Sequence, residues 1–214
     1  MVAVANREFE INLLKTYSTV AGVDEVGRGC LAGPVYVCIA VVDSKVKDCE
    51  VELRDSKLLS DKARKEKFPF ATKWLLDYAV GISTNEEIDS FGISRALQLA
   101  GERAIQELKT RGINPDIYIL DGKHDWLTNR NDLFSSSETE ELNVITKIKA
   151  DTSCSVVASA SIIAKVLRDK YMCDIEDDKY DFSSNKGYSS PKHIQALKEY
   201  GVSDLHRKTW KMPQ

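Results

Sequence analysis

Short runs rich in Val and Ile mark the first half of the chain. Residues 19–26 read as a strand, and after a cluster of glycines residues 34–42 read as a longer one. Residues 54–60 are polar loop. Residues 61–75 carry a helical pattern, which Pro69 is expected to kink or shorten. A third strand follows at 78–84, and Asn85 is suited to cap a short helix. From 93 to 111 the apolar residues Ile93, Ala96, Leu97, Ala100, Ala104, Ile105 and Leu108 recur at helical spacing, and Gly112 stands where a helix C-cap belongs. Residues 116–120 form a short strand ending at Asp121-Gly122, and 143–149 form another. A long helix rich in Ala and Ile, buried over most of its circumference, is expected at 152–172. The last helix, 191–200, has Ser189 or Ser190 as cap and Gly201 as stop. A pair of strands followed by strands alternating with helices predicts the α/β class with a mixed sheet. One compact domain with a small helical C-terminal appendage is expected.

Composition narrows the function classes. The 214 residues hold 30 Lys+Arg and 33 Asp+Glu, a net charge of −3, with 43% hydrophobic and 29% charged residues. These proportions suit a folded globular protein and exclude disorder, collagen-like repeats and disulfide scaffolds. The longest apolar run, residues 35–42, falls far short of the ~20 needed to span a bilayer. No hydrophobic stretch of signal-peptide type opens the chain. The five cysteines form no Cys-x-x-Cys pair, so free thiols in a reducing, cytoplasmic setting are expected, with no zinc site and no membrane association. Net charge argues against indiscriminate coating of nucleic acid, yet residues 186–214 are locally +4 and could face a polyanion or form an ordinary solvated face. Acids cluster elsewhere, at Glu138, Glu140 and Glu141 and at Asp174, Glu176, Asp177 and Asp178.

Candidate chemistry starts at Asp24 and Glu25, adjacent carboxylates in an otherwise apolar strand. Neighbouring strand residues point to opposite faces, so one must look inward or over the sheet edge, where it needs a partner or a metal. An edge strand with a charge on each rim is the plain alternative. Gly27-Arg28-Gly29 follows, combining backbone freedom with a bidentate phosphate-binding side chain. A dinucleotide fingerprint fails on context, because a strand and not a helix follows Gly33. Asp121 sits at the carboxyl end of a strand, where α/β proteins gather ligands, and Asp151 sits at the start of a helix. Singly these two read as an Asp-Gly turn and a helix cap. Together the four acids are the ligand chemistry of hard divalent cations, which in pairs about 3.5–4 Å apart promote phosphodiester hydrolysis. The three histidines, His124, His193 and His206, fall in separate polar segments and make no nucleophile–base motif.

Several segments extend this reading: GVDEVGRGCLAGPV at 22–35, RDSKLLS at 54–60, ILDG at 119–122, KADTSCSVVASASIIAKVLRD at 149–169, NKGYSSPKH at 185–193 and HRKTW at 206–210. In kind and order they resemble the type 2 ribonucleases H, the ribonuclease HII family. The resemblance implies a ribonuclease H-like fold, a central mixed sheet flanked by helices, with a C-terminal helical extension. It divides the chain into an extension at 1–18, a catalytic domain at 19–180 and a substrate-binding helical subdomain at 181–214. It further implies cutting of the RNA strand of RNA–DNA hybrids, and incision 5′ of a single ribonucleotide in duplex DNA, leaving 3′-hydroxyl and 5′-phosphate ends. Asp24, Glu25, Asp121 and Asp151 match the carboxylates that hold Mg²⁺ or Mn²⁺. Gly27, Arg28 and Gly29 match the loop that reads the ribose 2′-hydroxyl, and Tyr188 matches the tyrosine that stacks at the ribonucleotide junction. Ser56, Lys57, Lys149, Ser161 and Lys165 match positions near substrate or metal, although Lys165 could instead simply neutralise the acidic cluster.

Departures from the family pattern are few. Ala150 stands where Gly is usual, and its methyl would shift Asp151 if that backbone needs positive φ. Ser159 stands where Ala is usual. Type 3 ribonucleases H share fold and acids but typically carry a long N-terminal domain. A non-catalytic hybrid-binding module is disfavoured by the presence of all four acids, and a nucleotide-binding α/β protein by the strand after Gly33. A monomer is expected. Four residues after Trp210 leave no room for a clamp-binding tail, and the first 18 residues read as a surface helix bearing Arg7, Glu8 and Glu10.

Overall fold

The computed structural model describes residues 4–53, 56–128, 142–177 and 179–213. Five strands form one sheet: β1 (Thr19–Val26), β2 (Val35–Asp43), β3 (Asp77–Ser83), β4 (Ile117–Asp121) and β5 (Val144–Lys147), in the order β3-β2-β1-β4-β5. The first three are antiparallel neighbours, whereas β4 runs parallel to β1 and β5 parallel to β4. The sheet is thus mixed, as the order of elements predicts. Its central strands are apolar on both faces because helices cover both. On one side Ala21, Val23, Val37 and Ile39 pack on α3 (Asn85–Thr110). On the other Val20, Cys38 and Ala40 pack on α5 (Ser155–Cys173), with α2 (Asp61–Lys73) beyond it.

Local physics shifts several boundaries. Pro69 lies inside α2 without ending it, on an exposed face where the carbonyl its ring leaves unpaired can meet water. Thr84, not Asn85, caps α3 through a reciprocal box with Glu87, and the expected pair of helices is one element broken at Gly92, with φ +79°. The long helix is interrupted as well: α4 (Ala150–Ser153) and α5 are separated by Cys154 in extended conformation. Ala150 needs no positive φ. The left-handed residue is its neighbour Lys149, at φ +57°, so the anticipated strain on Asp151 from the Ala150 methyl is absent.

The N-terminal helix α1 (Glu8–Leu13) is more than a surface helix. Glu10 is fully buried, accepts from Arg7 Nε at 2.8 Å and takes the backbone N–H of Val156 at 2.9 Å, so it serves the free amides at the start of α5. Arg7 lies over the Trp74 ring at 5.4 Å, and Trp74 Nε1 donates to Ser159 Oγ at 2.7 Å, giving that departure from the family pattern a partner. The carboxyl end of the chain packs α6 (Phe182–Asn185) and α7 (Pro191–Tyr200) through Phe182, Ala196 and Leu197 against Leu31, Ala32 and Met172. Ser190 caps α7 and Gly201, at φ +74°, ends it, as expected. Arg54, Asp55 and the acids Glu138, Glu140, Glu141 and Asp178 lie outside the described residues. Among the described residues no helix is long and apolar enough to cross a membrane.

Candidate active site

The parallel pairing of β1 with β4 brings the first two acids together. Its register ends at Val23 opposite Leu120, so Asp24 and Asp121 continue the ladder as neighbours. Asp24 is buried on the face that α5 covers, and its Oδ1 accepts the Glu25 N–H at 2.9 Å. Asp121 Oδ1 accepts the Ala150 N–H at 2.7 Å, which ties the end of β4 to the residue before Asp151. Asp151 is itself buried and lies 3.6 Å from Lys57 Nζ. It sits in the first turn of α4, whose N-cap is Lys149, so it is not the cap that its position suggested.

A cleft of about 210 Å³ opens over Asp24 and Glu25. Residues 26–29 form one wall, Ser56, Lys57 and Ser161 another, and Lys165 with Tyr188 a third. Most of the residues singled out in the sequence therefore share one space. Asp121 and Asp151 are set just outside its lining, and Lys149 is exposed at the head of α4. Lys165 has its nearest partners elsewhere: its Nζ pairs with Asp169 at 2.7 Å and lies 5.3 Å from the centre of the Tyr188 ring.

Electrostatics follow from burial. Loss of water raises the Asp24 carboxyl well above the usual carboxylate range. The charges of Glu25 and Asp121 push the same way, against a Ser161 hydrogen bond and the Lys57 ammonium. Glu25 is raised by burial too, opposed first by the Arg28 guanidinium, which stands 3.5 Å from its Oε1. Ser161 and Ser56 are joined hydroxyl to hydroxyl at 2.9 Å, and Arg64 Nη1 holds the Ser56 carbonyl at 2.7 Å, fixing the loop that carries Lys57. Carboxylates crowded together with few counter-cations are set up to accept positive charge. Among the described residues no group of three or more His, Cys, Asp or Glu side chains is arranged to hold an ion unaided, so the acids form an open set. Magnesium sites completed by substrate phosphate and water are of that kind.

Two buried arginines that sequence reasoning missed build the loop. Arg168 donates to the carbonyls of Pro34 and Lys186, both at 2.9 Å, and Arg207 donates to those of Arg28 and Gly27, at 2.9 and 2.6 Å. Arg207 is fully buried, so part of the basic C-terminal charge is internal and not a solvated face. Gly27 has φ +91°, and a Cβ there would stand 2.3 Å from Arg168 Nε. Gly29 is different: its φ is ordinary and a Cβ would meet nothing within 4 Å. His193 and His206 are not separate polar residues either. Both are buried, with their Nε2 atoms 2.9 Å apart. A buried arginine or histidine looks like any other polar residue in sequence, and only its several carbonyl or ring partners, far along the chain, reveal it.

Comparison with known proteins identifies the family. A family model for ribonuclease HII matches residues 21–213. A ribonuclease HII of Streptomyces avermitilis is 45% identical over 193 residues, 89% of this chain and 76% of that protein. Among solved structures, the ribonuclease H2 from Pyrococcus horikoshii OT3 is similar at TM-score 0.66 and 32% identity, over 91% of this chain and 94% of that one. The RNase HII of a PCNA:RNase HII complex from Archaeoglobus fulgidus is similar at TM-score 0.63 and 27% identity, covering 92% and 96%. That neighbour's partner does not fit the expectation of a chain without clamp binding. With its ribonuclease H-like mixed sheet, its family match over nearly the whole length and its curated relatives, the chain belongs to the ribonuclease HII family, enzymes that hydrolyse RNA in RNA–DNA hybrids.

Proposed function

We propose that this protein hydrolyses the RNA strand of RNA–DNA hybrids and also cuts 5′ of single ribonucleotides embedded in duplex DNA, leaving 3′-hydroxyl and 5′-phosphate ends. The observation that carries this reading is the shared cleft. Buried Asp24 and half-buried Glu25 line it together with two features suited to nucleic acid, the 27–29 loop and the Tyr188 ring. Asp24, Glu25, Asp121 and Asp151 would hold Mg²⁺ or Mn²⁺. Their all-oxygen chemistry and the unfavourable burial of Asp24 beside Glu25 and Asp121 fit hard cations. When bound as a pair, such ions supply Lewis-acid activation of water and stabilise charge on the leaving oxygen.

The remaining work falls to the chain's own groups. Arg28 and Lys57, both exposed at the cleft, attract and orient the scissile phosphate. Backbone groups of Gly27 and Gly29 approach the ribose 2′-hydroxyl, the group that separates RNA from DNA. The open space at Gly29 supports this, since neither backbone strain nor a neighbour in the protein requires glycine there. Tyr188 stacks at the ribonucleotide–deoxynucleotide junction. Ser56 and Ser161 fix the wall beside Asp24, Lys165 steadies the Tyr188 ring, and Lys149 lies along the flanking backbone. Asp24→Asn tests the central assignment: hybrid cleavage with Mg²⁺ or Mn²⁺ should be lost while hybrid binding in chelator is retained. A folded variant that loses binding, or one that still cuts, would contradict it.

A further inference from the structure

The two buried histidines form a chain of hydrogen bonds with one allowed direction. The backbone N–H of Ser203 points at His206 Nδ1 at 2.9 Å, and an amide can only donate, so that nitrogen carries no proton. The neutral ring then bears its proton on Nε2, which faces His193 Nε2 at 2.9 Å. His193 must accept there, which leaves its own proton on Nδ1, 2.8 Å from the backbone carbonyl of Tyr188. No other arrangement of two neutral rings satisfies all three contacts. The Tyr180 ring packs on His206 at 4.7 Å and Phe182 on His193 at 5.4 Å, and this apolar casing disfavours a charge on either imidazole.

One end of the relay lies in the cleft, and the other lies beside Arg207, whose side chain holds the Gly27 and Arg28 carbonyls. The first end is Tyr188. The other is the segment around His206, which bridges to Ala32, while Gly33 N–H donates to Leu205 O at 2.8 Å and Arg207 N–H to Leu31 O at 2.9 Å. These contacts join it to the strand entrance just beyond the 27–29 loop. The relay thus connects Tyr188 to the segment that, through Arg207, holds the 27–29 loop.

We propose that His193 is a positioning residue for Tyr188, and that His206 fixes its tautomer so that the ring is held in register with the 27–29 loop. This rests on the reading that Tyr188 meets the ribonucleotide junction. Two measurements test it. Long-range ¹H–¹⁵N spectra of the protein without substrate at pH 7 should show His193 protonated at Nδ1 and His206 at Nε2; the opposite tautomer at either ring would overturn the relay. With duplex DNA containing one ribonucleotide, His193→Leu should raise KM about tenfold and leave kcat nearly unchanged. His193→Asn, whose amide N–H replaces Nδ1–H, should restore most of the loss. In a Tyr188→Ala background His193→Leu should add nothing. An equal effect with and without the Tyr188 ring, or failure of the Asn variant to rescue, would overturn the positioning role. Unchanged KM in Tyr188→Ala alone would overturn the junction reading, a failure told apart from that of the relay because the imidazole spectra are read without substrate.

Discussion

At the residue scale, the acids at the cleft floor are held against their own stability. Burial and like charge raise Asp24, so the folded protein binds that proton more tightly than the unfolded chain does. The contribution of this group is therefore greatest at low pH and declines as pH rises from the ordinary carboxylate value towards the raised one. Asp24→Asn should accordingly raise the Tm of the metal-free protein at pH 7 by about 2–4 °C, and added Mg²⁺ or Mn²⁺ should raise the Tm of the wild type more than that of the variant. A lower Tm for the variant in calorimetry would refute this strain. The two glycines of the loop separate structure from function in the same way. Gly27→Ala meets positive φ and the Arg168 side chain and should lose about 2–4 kcal/mol in urea denaturation, whereas Gly29→Ala should unfold as the wild type does. Weakened cleavage by Gly29→Ala with stability intact is the expected outcome; normal cleavage would remove the loop from substrate recognition. The acids and the loop were legible in sequence because charged residues and glycines interrupt an apolar strand. Asp121 and Asp151 were legible only as members of the set, since in isolation they read as an Asp-Gly turn and a helix cap.

At the element scale, short Val- and Ile-rich runs located all five strands and helical spacing of apolar residues located the longer helices, because period and length are local properties, whereas the short α6 was missed. The break at Gly92 was anticipated as a gap between two helices, but the break at Cys154 and the buried polar brace of α1 on α5 were not. That brace has a measurable cost of removal. Glu10→Ala strips a partner from buried Arg7 and an acceptor from Val156 N–H, and should destabilise by about 3 kcal/mol in urea denaturation. Glu10→Gln keeps the acceptor and should lose less; equal losses would deny the capping role. The histidine pair sets an acid limit on the C-terminal segment. Burial, then the neighbouring His193, lowers His206 from 6.5 to about 4. A base depressed in the folded state gives stability that is complete above 6.5 and drains away as pH falls towards 4, here by roughly 3 kcal/mol. Urea midpoints measured from pH 7 to pH 4 should fall accordingly, and His206→Gln should flatten that slope. An unchanged slope in the variant would place the acid sensitivity elsewhere.

At the scale of the whole molecule, the mixed sheet brings β1 and β4 side by side, and the C-terminal helices close the cleft that their ends begin. Buried arginines tie the loop to that closing segment through the carbonyls of Gly27, Pro34 and Lys186. The sequence motifs showed what would assemble but not how, because Arg168, Arg207 and the histidine pair act through partners distant in the chain. The central claim is that this single cleft both hydrolyses the phosphodiester and senses one ribose 2′-hydroxyl beside it. The most direct test is to incubate the protein with end-labelled duplex DNA carrying one ribonucleotide, with Mg²⁺, Mn²⁺ or chelator, and to map the cut. A single metal-dependent cut on the 5′ side of the ribonucleotide is the predicted result. Cleavage of continuous hybrid with none at the lone ribonucleotide would contradict the assigned roles of residues 27–29 and Tyr188, and cleavage of neither would contradict the account as a whole.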